Sequence, residues 1–403
     1  MTSQTSVPTG ARHDDRRDFS LVLGGPLFQL FRRAHLSDDA LSLVHKRAIG
    51  ISLICWLPLL ALSAFEGQLL GGTATIPFLF DVEAHVRFLV AIPLLVAAEL
   101  VVHRRMLPLV QQFLERNLIP ESEIPRFEAA IASAFRLRNS VVAEVMLLLF
   151  VYVFGVMVVW RQLVALDAAT WYATPSVEGS QLSLAGLWYG YVSLPFFQFL
   201  LVRWYFRLAI WARFLWKVSR IELQLVPTHP DRVGGLGFLS NTIYAFTPLA
   251  LAHGANLAGP LANRILYVGS TLPEWVIEIA VVLIFLLFVV LGPLSVFGSQ
   301  LARTKRVGLR TYGSLAQRYV RDFDTKWLRG GAPPDEPFVG TGDIQSLADL
   351  ANSFEVVRTM RLVPFTKEAA LQLAFGTLAP LAPLLLSMMP LEELLKRLFG
   401  ILL

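Results

Sequence analysis

Seven long apolar stretches punctuate the chain, at about Ala48–Phe65, Phe88–Val102, Val141–Trp160, Leu184–Val202, Phe238–Ala262, Glu274–Phe297 and Leu371–Met389. Each approaches the ~20 residues a helix needs to cross the hydrocarbon core of a bilayer. The pattern therefore predicts an all-α, polytopic membrane protein with six or seven spans. The seventh stretch contains Pro380 and Pro383 and is followed by the amphipathic Leu-Glu-Glu-Leu-Leu-Lys-Arg-Leu-Phe after Pro390. It either crosses the membrane or returns as a re-entrant hairpin ending in an interfacial tail.

The polar segments carry helical patterns of their own. Glu123–Asn139 follows Pro120-Glu-Ser-Glu-Ile-Pro125, with acidic residues and a proline where a helix starts. With no obvious breaker before the third apolar run, a single helix from Pro125 to Trp160 is expected, roughly 54 Å long at 1.5 Å per residue. Asp343–Met360 places Ile344, Leu347, Leu350, Ala351, Phe354 and Val357 at helical spacing. This helix is expected to pack on another element, with Leu350 and Phe354 as anchors. Gly330-Gly-Ala-Pro-Pro334 separates it from a basic helix near Leu309–Leu328. The division expected is an interfacial segment at 1–47, spans one to six within 48–298 with helical extensions at 103–140 and 203–237, a helical cytosolic segment at 299–370, and the last span or hairpin with its tail at 371–403. Phe19–Phe31 is broken by Gly24-Gly25-Pro26 and ends on Arg32-Arg33, so it does not read as a cleavable signal.

Composition agrees with this class: of 403 residues, 55% are hydrophobic and 16% charged, against about 25% charged in soluble domains. The single cysteine, Cys55, excludes a disulfide framework and a cysteine metal site. A net charge of +5 could suggest nucleic acid, but the distribution of charge carries more information here. Thirty of the 35 Lys and Arg lie in 1–47, 103–140, 203–237 and 298–370. The positive-inside rule then places these segments and the N-terminus in the cytoplasm.

Polar side chains inside apolar runs are the candidates for chemistry, because they are costly in hydrocarbon and usually face a partner or a cavity. Glu99 and Glu144 fall near the inner ends of the second and third spans. Either they form a carboxylate pair that binds a cation or shares a proton, or interfacial arginines such as Arg104, Arg105, Arg136 and Arg138 neutralise them. Glu99 and His103 share a helix face, which alone makes no metal site. The fifth span carries Asn241, Thr247, His253 and Asn256 along its length, interrupted by Pro248, Gly254, Gly259 and Pro260. With Glu278 of the next span it reads either as a transport path along an opened backbone or as small residues permitting close helix packing.

Two further features stand out. Arg203, Arg207, Arg213, Lys217 and Arg220 fall within an arc of about 140° at 100° per residue, and with Trp204, Trp211 and Trp216 they suit anionic lipid headgroups. The loop Val226-Pro-Thr-His-Pro-Asp-Arg-Val-Gly-Gly-Leu-Gly-Phe238 then brings His229, Asp231, Gly234, Gly235 and Gly237 together at a helix entry. His229-Pro230-Asp231 resembles the tripeptide of J-domain co-chaperones, but no second cytosolic helix follows. The loop reads as an ordinary turn or as an anion-binding nest; it lacks a Walker lysine.

This loop, the run Gly340-Thr-Gly-Asp-Ile-Gln-Ser-Leu-Ala-Asp-Leu-Ala-Asn352 and the C-terminal Pro-Leu-Glu-Glu-Leu-Leu-Lys-Arg resemble an uncharacterised group of bacterial polytopic inner-membrane proteins. The resemblance implies a multi-pass protein of the bacterial inner membrane and brings no activity with it. No nucleophile elbow, zinc-hydrolase helix or nucleotide loop occurs, no cofactor is expected, and an enzyme is disfavoured. The function expected is a channel or transporter for an ion or small solute. The alternatives are a membrane-anchored sensor or scaffold acting through its cytosolic helices, and a lipid-modifying enzyme using His229 and Asp231. The expected partners are the bilayer, anionic headgroups and the solute, with no nucleic acid and with homo-oligomerisation left open.

Overall fold

The computed structural model describes residues 19–26, 29, 43–72, 74–160, 170–174 and 181–386, and over 156–160 the backbone alone. The basic residues Arg12, Arg16, Arg17, Arg32 and Arg33 and the amphipathic tail after Pro390 lie outside them.

Among the described residues the structure is predominantly α-helical, with a two-residue antiparallel pair, β1 (Ala173–Thr174) with β2 (Gln181–Leu182), and one bridge between Ile76 and Thr170. Among the described residues five helices are long and apolar enough to cross a membrane: α1 (Val44–Phe65), α2 (Val82–Glu115), α5 (Leu184–Val218), α8 (Leu272–Leu328) and α10 (Lys367–Leu386). A sixth crossing is counted if α3 (Ile124–Arg138) and α4 (Val141–Phe150, continued by π-wound turns over Val151–Trp160) act as one span.

Those two helices correct the expectation of one unbroken rod, since the axis bends by 49° between them. The signal is local. Ser140 leaves helical geometry at ψ 113° and its hydroxyl accepts the Ala143 N–H, the arrangement of an N-cap. Asn139, just before it, accepts the Gly25 N–H through its side chain.

Helix α2 forms the axis of the bundle. Phe88, Ile92, Leu95, Val102, Met106, Leu109 and Phe113 recur at helical spacing and none is more than 1% exposed. Around it pack α1, α5 and the fifth apolar segment. That segment is two helices, α6 (Asn241–Ala245) and α7 (Thr247–Asn263), with Pro248 in the first turn of α7. Its small residues serve contact: a Cβ on Gly254 would fall onto the Thr377 carbonyl of α10, and one on Gly259 would press on the backbone of Glu83.

Helix α8 departs from the expected pattern. Its 57 residues join two α-helices, Val276–Leu291 and Gly298–Phe323, through a 3₁₀ stretch at Gly292–Phe297, and would reach about 85 Å at 1.5 Å per residue, against a hydrocarbon core of ~30 Å. One crossing thus uses less than half of that length, and the basic residues fall in its second half. There α9 (Gly342–Arg358) folds back upon it. Val357 lies against Gly308, and Lys326 and Trp327 both donate to the Asp343 carboxylate, at 2.9 and 2.8 Å. The amphipathic reading of α9 thus finds a packing partner, but the anchors differ from those expected. Val357 and Met360 are buried, whereas Leu350 and Phe354 are half-buried and Ile344 is exposed. Helix α3 docks elsewhere, on α5.

Candidate functional site: buried charges and a cleft between two helices

Glu99 lies on the packed face of α2 and is 5% exposed. A carboxylate there requires cations, because an unpaired charge in this environment is strongly destabilising. Three arginines supply them. Arg47, in the first turn of α1, pairs with Glu99 Oε2. Arg207 of α5 approaches Oε1 at 2.8 Å and Arg203, one turn earlier, at 3.3 Å. The other guanidinium nitrogen of Arg203 lies 3.3 Å from Glu144 Oε1 on α4. Arg203 therefore bridges the two carboxylates. Trp204 fixes the register of α5 on α2 by donating its indole N–H to the Leu95 carbonyl at 3.0 Å, and its ring lies under Arg207, 4.7 Å away.

Glu99 and Glu144 are thus brought to a common arginine, which comes from within the span. Among the residues expected to neutralise them, Arg138 donates to the Ser20 carbonyl at 2.6 Å and stacks over Phe135. His103 meets the Ser20 hydroxyl at 2.9 Å.

The five basic residues of α5 divide, which corrects their assignment as one headgroup face. At 100° per residue, Arg207 lies 40° to one side of Arg203, and Lys217, Arg213 and Arg220 lie 40°, 80° and 100° to the other. The first two point into the bundle and are 6% and 4% exposed. Arg213 and Arg220 are exposed and Lys217 half-buried, with Arg220 over the exposed Trp216 at 5.0 Å.

Beside Glu144 a cleft opens between α4 and α5, with a cavity of about 670 Å³. Leu148, Phe196 and Phe199 form much of its wall, and Pro26 and Glu144 stand at one end. At the other end the Tyr152 hydroxyl donates to the Tyr191 carbonyl at 3.3 Å. Tyr191 belongs to a π-wound turn, Tyr189–Ser193, and Tyr152 to the π-wound continuation of α4; such turns re-aim side chains and recur at functional sites.

The polar line of the fifth segment is engaged piecemeal. His253 is 8% exposed, with Nε2 2.6 Å from the Tyr205 hydroxyl and Nδ1 2.7 Å from the Leu249 carbonyl. Asn256 accepts from Arg87, which also pairs with Glu83 and lies 2.5 Å from the Tyr189 hydroxyl. Thr247 bonds back to the Ile243 carbonyl, and Asn241 and Glu278 are exposed. The structure does not bring Glu278 to His253.

In the glycine-rich loop the nest is filled by the protein itself. Asp231 accepts the N–H groups of Val233, Gly235 and Gly237 at 2.9, 3.1 and 2.8 Å. Gly234 and Gly235 take φ of 66° and 102°, which turns those N–H groups inward. His229 Nδ1 lies 2.9 Å from Asp231 Oδ1, and Arg361 donates to the Asp231 carbonyl at 3.0 Å. This arrangement ties the loop to the segment after α9.

Arg47, Arg87, Arg203, Arg207 and Tyr205 were not singled out as interior groups by sequence reasoning. For Arg203 and Arg207 the signal existed in their phase on α5; for Arg87 it lay in the i,i+4 spacing to Glu83, while Asn256, Tyr189 and the Tyr205 partner His253 are far away in the chain. Among the described residues no group of three His, Cys, Asp or Glu is placed to hold a metal ion. Compared with models of protein families, with characterised proteins and with solved structures, the chain matches none.

Proposed function

We propose that the protein is a transporter of the bacterial inner membrane for an ion or small solute, with six or seven spans and with its N-terminus, the 103–140 and 203–237 segments and the α8–α9 hairpin in the cytoplasm. The working centre in this reading is the carboxylate pair Glu99 and Glu144, in place of the line through His253, Asn256 and Glu278. The observation that carries it is the sharing of Arg203 between the two carboxylates at equal distances of 3.3 Å. Charges this deep in a span bundle are costly and mark substrate or ion routes. An arginine held between two acceptors has two arrangements to choose from, which an alternating mechanism requires. Glu144 lies at the boundary of the cleft and Glu99 in the core, so a solute reaching Glu144 alters the balance at Glu99.

A second reading is favoured by a separate observation. The α8–α9 hairpin is anchored at its base, where Gln300 donates to the Ser219 and Ile221 carbonyls and Gly308 lies against Pro227, and it exposes Val307, Leu328, Val339 and Ile344, as a scaffold presenting a docking arm would. The lipid-enzyme reading receives no such support, since Asp231 is committed to three backbone N–H groups. Uptake by proteoliposomes over a panel of inorganic and organic cations separates the first two readings. Protein-dependent flux supports the transporter; its absence across the panel favours the scaffold.

A further inference from the structure

We propose that the cleft between α4 and α5 binds a lipophilic cation, an organic cation whose charge is carried on a bulky apolar body; this names the substrate class for the transport reading above and rests on it. The cavity of about 670 Å³ lies within the range of ~300–1,000 Å³ typical of small-molecule sites. Its wall is apolar and aromatic, with Leu148, Phe196 and Phe199 along its length and the Tyr152–Tyr191 contact across one end. The one charged side chain in that wall, among the described residues, is Glu144.

The chemistry selects the ligand by sign and by shape. In a medium of low polarity a carboxylate attracts a cation far more strongly than it does in water, and aromatic faces add attraction for the same sign of charge. An inorganic cation would leave the apolar walls unfilled. Glu144 is already paired with Arg203 at 3.3 Å, so a ligand cation shares this carboxylate with Arg203. Charge arriving at Glu144 weakens its hold on Arg203, whose other nitrogen already faces Glu99. Binding in the cleft is thereby coupled to the buried centre.

Tetraphenylphosphonium and tetraphenylborate share shape and apolar area and differ in sign, so their comparison on the full-length protein in detergent isolates the charge term. By calorimetric titration the cation is expected to bind at least about tenfold more tightly than the borate. Glu144→Gln should remove that preference, and Leu148→Trp, which fills the cleft without touching the carboxylate, should weaken the cation by a similar factor. Equal binding of both ions to the wild-type protein, as a general apolar groove for lipid chains would give, overturns the proposal without need of any variant. So does a sign preference that survives in Glu144→Gln. A preference that obeys both variants while proteoliposomes show no cation flux upholds the site and removes the transport reading instead.

Discussion

Arg47 and Glu99, separated by 52 residues in sequence, form an ion pair with side chains only 2% and 7% exposed. The pair joins the first turn of α1 to the middle of α2, and through Arg203 and Arg207 it extends to α5. One carboxylate thus organises three helices, and its loss leaves three guanidinium groups without their common partner.

Removing one member of a buried ion pair typically costs about 3–5 kcal/mol. Glu99→Gln should therefore lower stability by that order, read as a large drop in the melting temperature of the detergent-solubilised protein. Glu222→Gln, which breaks a pair with Arg303 whose side chains are 82% and 73% exposed, should change stability by less than about 1 kcal/mol. Similar small changes in both variants would show that the interior pairing contributes little.

The self-filled nest predicts a graded response at Asp231. Asp231→Ala leaves the Val233, Gly235 and Gly237 N–H groups without their acceptor, and an unsatisfied donor costs about 1–3 kcal/mol. Asp231→Asn keeps one acceptor oxygen and should lose less. Proteolysis at the loop, compared across the three proteins, should rank alanine above asparagine above wild type.

The hairpin carries a pH dependence of defined sign. Hydrogen bonds from Lys326 and then Trp327 hold the Asp343 carboxyl below its ordinary value. A depressed carboxylate contributes stability that is present above the unfolded value of about 3.9 and is lost as pH falls through the folded value. Trp327 fluorescence should stay constant on acidification to about pH 4 and change below it, and Asp343→Asn should abolish that step. A change centred above the ordinary carboxylate range would contradict the assignment.

The proposed orientation is open to cysteine labelling in a Cys55→Ser background. A membrane-impermeant reagent outside the cell should reach cysteine placed at Ser270 and fail to reach it at Ser122 or Ser346. The opposite pattern inverts the topology.

The class of fold was legible because spanning helices must be apolar throughout, and α1 and α10 fall close to the runs read from hydropathy. The division between α3 and α4 was not, since Asn139 and Ser140 act through capping geometry while hydropathy registers only a polar break. The close packing at Gly254 was one of two open readings, and the contact with Thr377 depends on which helix happens to lie opposite. Arg203 and Arg207 carried their signal in a 40° offset within a basic arc that looks uniform as a list of residues. The cleft was invisible, because its two walls come from segments some 40 residues apart and one end from Pro26, whose neighbours in sequence give no hint of it.

The central claim is that the carboxylate at the cleft participates in transport, and flux through Glu144→Gln in proteoliposomes tests it most directly. With equal amounts of folded protein incorporated, cation uptake by Glu144→Gln should fall at least about tenfold below wild type, the loss expected when a charge-assisted contact of about 1.5–3 kcal/mol is removed. Wild-type uptake in Glu144→Gln, together with its loss in His253→Ala or Glu278→Gln, would return the route to the fifth apolar segment and contradict a mechanism centred on Glu144 and Glu99.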